Sequence, residues 1–142
     1  MVEKYKTESQ QETIAIATRF GASLPIGAVV LFSGDLGAGK TTFIKGLAKG
    51  ACDIPASEVI SPTFSILNIY KGKKCLFHFD LYRMQNAEDF IAMGFEEYLY
   101  PDGITCIEWS ERIEQILPAG HYRVHIEHFS ESERLISISE EV

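Results

Sequence analysis

Positive charge is scarce in this chain. Of 142 residues, 13 are Lys or Arg against 20 Asp or Glu, a formal net charge of −7 at pH 7. Gripping DNA or RNA through surface charge takes a basic face, so direct nucleic-acid binding is not expected and any nucleic-acid role runs through a partner. Cysteine is equally sparse. Cys52, Cys75 and Cys106 are odd in number, lack C-x-x-C spacing and sit in or beside apolar runs, which speaks against a disulfide framework and for reduced core thiols. No apolar run approaches the roughly 20 residues that span a bilayer, and no early stretch has the basic-then-apolar layout of a signal peptide. A cytoplasmic protein is the expectation. Internal repeats and low-complexity segments are absent too. What remains, with 46% hydrophobic residues, suits one domain over residues 1–142 with a substantial core.

The most specific feature present is Gly34-Asp35-Leu36-Gly37-Ala38-Gly39-Lys40-Thr41, followed by Thr42. It matches G-x-x-x-x-G-K-[ST] and directly follows the apolar run Ala28-Val29-Val30-Leu31-Phe32, the strand–loop–helix context that a phosphate-binding loop needs. Its glycines let backbone N–H groups curl around phosphate oxygens, and the helix that follows adds the positive end of its dipole. Lys40 then reaches the β- and γ-phosphates, and the Thr41 hydroxyl coordinates Mg²⁺.

Around this loop the pattern predicts an alternation of helices and strands. Ser9-Gln10-Gln11-Glu12 has the form of a capping box and opens a helix over residues 9–22. Its start, from Thr7 to Thr13, either packs on the sheet or lies near the nucleotide base. A buried strand ends about Ser33, and a helix over 40–49 stops at Gly50. Residues 52–58 read as loop. Ser61-Pro62-Thr63-Phe64 is a stiff turn that holds two hydroxyls near a strand start. An alternating run over 64–70, the turn Lys71-Gly72-Lys73-Lys74 and a strand over 75–79 make an antiparallel hairpin.

Two acids end strands. Asp80, in His78-Phe79-Asp80-Leu81-Tyr82-Arg83, closes one, and Glu108, beside the lone Trp109, closes another that begins at Ile104. Such ends point into the ligand crevice of an open α/β sheet. Asp80 is placed to hold Mg²⁺, to orient an attacking water, or merely to cap the next turn. Between them Asn86 caps a helix over 87–93, which residues 95–99 continue past Gly94. Ser110 caps a short helix reaching Ile116. Residues 121–129 and 134–139 pair as a final hairpin. His121, His125 and His128 fall on this hairpin, but alternation turns His128 away from the other two, and a solvated strand face is the stronger reading than zinc.

Taken together, the glycine loop, Ser61-Pro62-Thr63-Phe64, His78-Phe79-Asp80-Leu81-Tyr82-Arg83 and Glu108-Trp109, in this order, resemble the TsaE family, formerly YjeE. The resemblance implies an α/β P-loop NTPase fold: a mixed, mostly parallel central sheet flanked by helices, with antiparallel hairpins. It also implies an ATPase that acts with the TsaD–TsaB pair in threonylcarbamoylation of tRNA adenosine 37, meeting tRNA only through that complex. By position, residues 34–42 and Trp109 would bind ATP, with Gln10 and Arg134 approaching it. Thr41 and Glu108 would hold Mg²⁺. Lys40, Thr63 and Asp80 would serve hydrolysis, the Ser61 turn as one switch and the Asp80 segment as another.

Other classes share the glycine loop. A small-molecule or nucleotide kinase usually brings an arginine-rich lid, whereas the arginines here are only Arg19, Arg83, Arg112, Arg123 and Arg134. A GTP switch would need N/T-K-x-D to read guanine, and none is present. A non-catalytic adaptor that docks in response to ATP remains an alternative.

Overall fold

A computed structural model describes residues 2–35, 37, 39–62 and 65–141. The elements are β1 (Val2–Thr7), α1 (Gln10–Ser23), β2 (Val29–Gly34), α2 (Lys40–Cys52), β3 (Leu67–Lys71), β4 (Cys75–Asp80), α3 (Ala87–Ala92), β5 (Gly103–Glu108), β6 (His121–His128) and β7 (Arg134–Glu141). Single 3-10 turns occupy Ala56–Glu58 and Glu96–Leu99, and two 3-10 turns joined at a kink at Ile113 occupy Ser110–Ile116. The strands form one sheet in the order β1-β7-β6-β2-β5-β4-β3. The pairs β6–β2, β2–β5 and β5–β4 are parallel, and the outer pairs β1–β7, β7–β6 and β4–β3 are antiparallel. The mixed sheet with a parallel centre and antiparallel hairpins is the fold class the sequence implies.

Strand alternation divides the core into two layers. On one face Val30, Phe32, Leu76, Ile104, Cys106, Val124 and Ile126 pack with Phe43, Ile44 and Leu47 of α2 and Ala17 of α1. On the other, Val29, Leu31, Phe79 and Ile107 pack with Phe90 of α3, Leu99 and Ile113. Phe43, Ile44 and Leu47 have no exposed surface, and burial of each contributes about 1.5–3 kcal/mol. The central strand β2 therefore reads as a continuous apolar run because both of its faces are covered.

Several local expectations change. Ahead of the first helix lies β1, which the sequence reading did not anticipate. Its Tyr5 and Thr7 turn inward while Lys4 and Lys6 face solvent, and as an edge strand it has only β7 as a neighbour, so its charged residues mask the signal. Helix α1 starts as expected, with Ser9 Oγ accepting from the Glu12 N–H at 3.1 Å. The return arm goes one residue further back, from the Glu8 N–H to Glu12 Oε1 at 2.8 Å.

Helix α2 runs on to Cys52 rather than stopping at Gly50. Gly50 is a packing residue, since a Cβ there would lie 1.9 Å from the Thr18 carbonyl oxygen of α1. The helix ends instead at Asp53 in the left-handed region, φ 56°, with its N–H on the Ala48 carbonyl. Residues 95–99 do not extend α3. Gly94, at φ 79°, breaks the chain there, and Glu96–Leu99 forms its own 3-10 turn. Ser110 lies inside its turn and is not the cap; Trp109 holds that position at φ 62° with no side-chain cap. Cys52 and Cys106 are buried and free. Desolvation pushes the Cys52 thiol up to about 11 and raises Cys106 well above its ordinary value.

Candidate nucleotide site

The glycine loop leaves the end of β2 on the side of the sheet where β5 and β6 also end. Gly34 is fixed by close approach: at φ +133°, an added Cβ would lie 1.9 Å from the Ile126 carbonyl oxygen. Asp35 ties the loop to β6 twice, its N–H donating to the Ile126 carbonyl at 3.1 Å and its Oδ2 accepting from the His128 N–H at 3.1 Å. The Asp35 carboxylate thus serves the loop's shape. Gly39 precedes α2 at φ 106°, a conformation that favours glycine, and offers no side-chain cap. The helix's leading N–H groups are therefore not taken up by a capping side chain, which suits an anion.

Lys40 opens α2, and its Nζ reaches back to the Gly34 carbonyl at 3.3 Å. Thr41 Oγ1 lies 2.6 Å from Ser61 Oγ, so the loop and the Ser-Pro turn meet through two hydroxyls. Thr42 sits beside Thr41, half-buried. Leu36, Ala38, Thr63 and Phe64 lie outside the described residues.

The two strand-end acids are neighbours. Asp80 of β4 stands in register with Glu108 of β5, and Glu108 with Phe32 of β2. Asp80 Oδ1 accepts from the Tyr82 N–H at 3.0 Å, the turn-capping arrangement, and Oδ2 has no hydrogen-bond partner among the described residues. The Leu81 N–H donates to the Glu108 carbonyl at 3.1 Å, joining the segment after Asp80 to the end of β5. Glu108 is 8% exposed, and its Oε2 lies 2.8 Å from Nε2 of fully buried His78. In the sequence, His78 carries no assigned role. Its signal was the strand spacing His78-x-Asp80, which puts both on one face.

Trp109 packs edge-on against Tyr82, with ring centroids 5.0 Å apart, and Arg112 lies 5.6 Å from its ring. Arg112 Nη2 also donates to the Tyr82 carbonyl at 3.4 Å. Arg83, which follows the Asp80 segment in sequence, is exposed. Arg112 is brought from a later turn and is invisible to local spacing.

Gln10 opens α1 just after β1, and Arg134 opens β7, the strand beside β1. Thr7, ending β1, is in register with Arg134, and Arg134 with His128 of β6, whose N–H holds Asp35. Thr7 Oγ1 bonds Thr13 Oγ1 at 2.8 Å, fixing the start of α1, where Gln10 is exposed. Arg134 Nη1 donates to the carbonyls of Ser130, Glu131 and Glu133 at 3.3, 3.2 and 2.9 Å. The histidines of the last hairpin are engaged separately. His121 Nδ1 faces the Pro118 carbonyl, and His125 bridges Ser33 and Glu127. Among the described residues no three His, Cys, Asp or Glu converge as a metal cage. Thr41 and Glu108 offer hard oxygen donors instead, the type Mg²⁺ takes when it shares its shell with phosphates.

Comparison with known proteins places the chain in a family. The family described as "Threonylcarbamoyl adenosine biosynthesis protein TsaE" matches residues 7–136. A Treponema pallidum protein named "tRNA threonylcarbamoyladenosine biosynthesis protein TsaE" is 38% identical over 133 residues, 94% of this chain and 97% of its own length. A Bacillus subtilis protein of the same name is 38% identical over 138 residues, 96% of this chain and 84% of its own. The crystal structure of YdiB from Bacillus subtilis superposes with a TM-score of 0.79 at 34% identity, covering 100% of this chain and 86% of that one. The likeness runs along nearly the whole length, and the chain belongs to the TsaE family.

Proposed function

We propose that this protein is a single-domain, Mg²⁺-dependent ATPase of the cytoplasm that serves threonylcarbamoylation of tRNA adenosine 37 together with TsaD and TsaB. The observation that supports the reading is the uncapped helix start at Gly39, where Thr41 meets the Ser61 turn, on a loop that leaves β2 soon after Phe32, the register partner of Glu108. When bound, ATP supplies the anhydride bond to be cleaved and Mg²⁺ offsets the charge of its phosphates.

The chain's own residues divide the remaining work. The backbone at residues 37–41 and the Lys40 ammonium bind phosphate oxygens, and Thr41 with Glu108 holds the cation. Asp80, with Oδ1 engaged by its own turn and Oδ2 available, serves hydrolysis beside them, and Thr63 belongs to the first switch. Gln10 and Arg134 approach the nucleotide, and Trp109 backs the metal side.

Five arginines and a net charge of −7 leave the chain poorly equipped to grip tRNA unaided. They also favour completion or release of the site by partners, an effect that reaches about 10³–10⁵ in rate where an arginine finger is supplied in trans. The test is phosphate release by the purified chain with and without the TsaD–TsaB pair, alongside a pull-down in ATP. Slow basal hydrolysis, stimulation by the pair and recovery of both proteins are expected. A rate the pair does not change would overturn partner dependence, and binding of ATP without single-turnover phosphate release would identify an adaptor.

A further inference from the structure

The buried contact between His78 and Glu108 has a consequence for the cation. His78 on β4 is in register with Cys106 on β5, two residues before Glu108, and the pleat places His78, Asp80, Cys106 and Glu108 on the same face. The His78 ring is fully buried. A carboxylate only accepts, so the nitrogen facing it donates, and Nε2 gives its hydrogen to Glu108 Oε2 over 2.8 Å. The other ring nitrogen, Nδ1, is buried and has no hydrogen-bond partner among the described residues. Leaving a buried polar atom unmatched is unfavourable, and neighbouring positions on this face of the sheet are filled by Leu76 and Cys106 at no such cost. Packing alone therefore does not account for an imidazole here. Its one polar partner does.

We infer that His78 is a positioning residue for the metal site: its Nε2–H fixes Glu108 by Oε2 and leaves Oε1 as the oxygen presented to the cation. The inference rests on the reading of Glu108 as a metal-site residue. A partner that orients a ligand in this way is typically worth about 10–100-fold in metal affinity. His78 acts through Glu108 and need not touch nucleotide, metal or water.

The test reads the Mg²⁺ concentration needed for half of the Trp109 fluorescence change, at saturating ADP, in wild type, Glu108→Ala, His78→Gln, His78→Asn and His78→Leu. A glutamine amide reaches about as far as Nε2, and an asparagine amide stops near Nδ1. His78→Gln is expected to stay close to wild type, while His78→Asn and His78→Leu raise the midpoint about 10–100-fold, with ADP binding in EDTA unchanged in all. An unchanged midpoint in Asn and Leu overturns the inference, as does a loss in Gln equal to that in Asn. If Glu108→Ala itself leaves the midpoint unchanged, the metal-site reading of Glu108 fails instead, so the two failures are distinguishable. A measurement independent of variant folding uses ¹⁵N-histidine wild type. The His78 Hε2 proton is expected as a slowly exchanging resonance that shifts when Mg²⁺ is added to the ADP complex, and absence of that shift overturns the inference.

Discussion

Thr41 Oγ1 and Ser61 Oγ lie 2.6 Å apart, joining the first turn of α2 to the turn that carries buried Pro62. A hydroxyl has one hydrogen and two lone pairs, so Thr41 is able to keep Ser61 by donating while an oxygen lone pair takes a cation. If Thr41 holds the cation as proposed, occupancy of that site and the posture of the Ser-Pro turn are coupled through one side chain.

Thr41→Ala removes both roles, and Thr41→Ser keeps the hydroxyl. Loss of one contact to a charged group is worth about 1.5–3 kcal/mol, which corresponds to about 10–100-fold in affinity. The alanine variant is expected to lose that much of its Mg²⁺-dependent nucleotide affinity, with binding in EDTA nearly unchanged and the serine variant near wild type. Calorimetric titration with and without EDTA checks it.

Lys40→Ala tests the phosphate loop itself. Lys40 Nζ makes one long contact, to the Gly34 carbonyl at 3.3 Å, so its loss should move stability without nucleotide by no more than about 0.5 kcal/mol. Nucleotide affinity or turnover should fall sharply. Equal ATP binding and turnover in mutant and wild type would remove Lys40 from the site.

The glycine loop, the hairpin turn and both strand-end acids were legible because each obeys a local rule: fixed spacing, alternation, a break after an apolar run. What escaped was non-local. The edge strand Val2–Thr7 depends on β7, more than a hundred residues away. Gly50 looks like a stop signal in sequence but answers to the backbone of Thr18 on another helix. His78 gains its role only when β4 and β5 lie in register, and Arg112 reaches Trp109 and Tyr82 from a later turn.

Gly50→Ala sets local preference against packing. In an exposed helix the change would stabilise by about 0.8–1 kcal/mol. Here the new methyl meets the Thr18 carbonyl oxygen at 1.9 Å and the Ala22 nitrogen at 3.0 Å, both backbone atoms, and overpacking of this kind costs about 1–3 kcal/mol. Net destabilisation is expected in urea unfolding. A stabilised variant would show that α1 and α2 are further apart than described.

Thiol labelling reports the same core. Cys75 is half-buried, whereas Cys52 and Cys106 are buried, and burial pushes Cys52 up to about 11. The reactive thiolate is thus disfavoured at pH 8 at Cys52 by both access and charge. With an aromatic disulfide reagent at pH 8, one thiol should react promptly in the native protein and all three after denaturation. Abolition of the prompt phase by Cys75→Ser identifies it; prompt labelling of three native thiols would contradict the burial.

Asp80→Ala separates docking from turnover. Its carboxylate accepts from the Tyr82 N–H at 3.0 Å and stands in register with Glu108, so removal loosens one exposed turn and takes away the acid nearest in register to the proposed cation ligand. Asp80→Asn keeps an oxygen for Tyr82 and removes only the charge, which isolates the second effect. Both variants should bind ATP and be retained by the TsaD–TsaB pair in ATP. Both should fail in repeated rounds of tRNA modification, about 10²-fold or more in hydrolysis if Asp80 acts as a general base or water-orienting group. Recovery of turnover in the asparagine variant alone would mean that Asp80 only shapes its turn. Normal repeated turnover in both would remove hydrolysis at this residue from the cycle and return the protein to the role of an ATP-dependent adaptor.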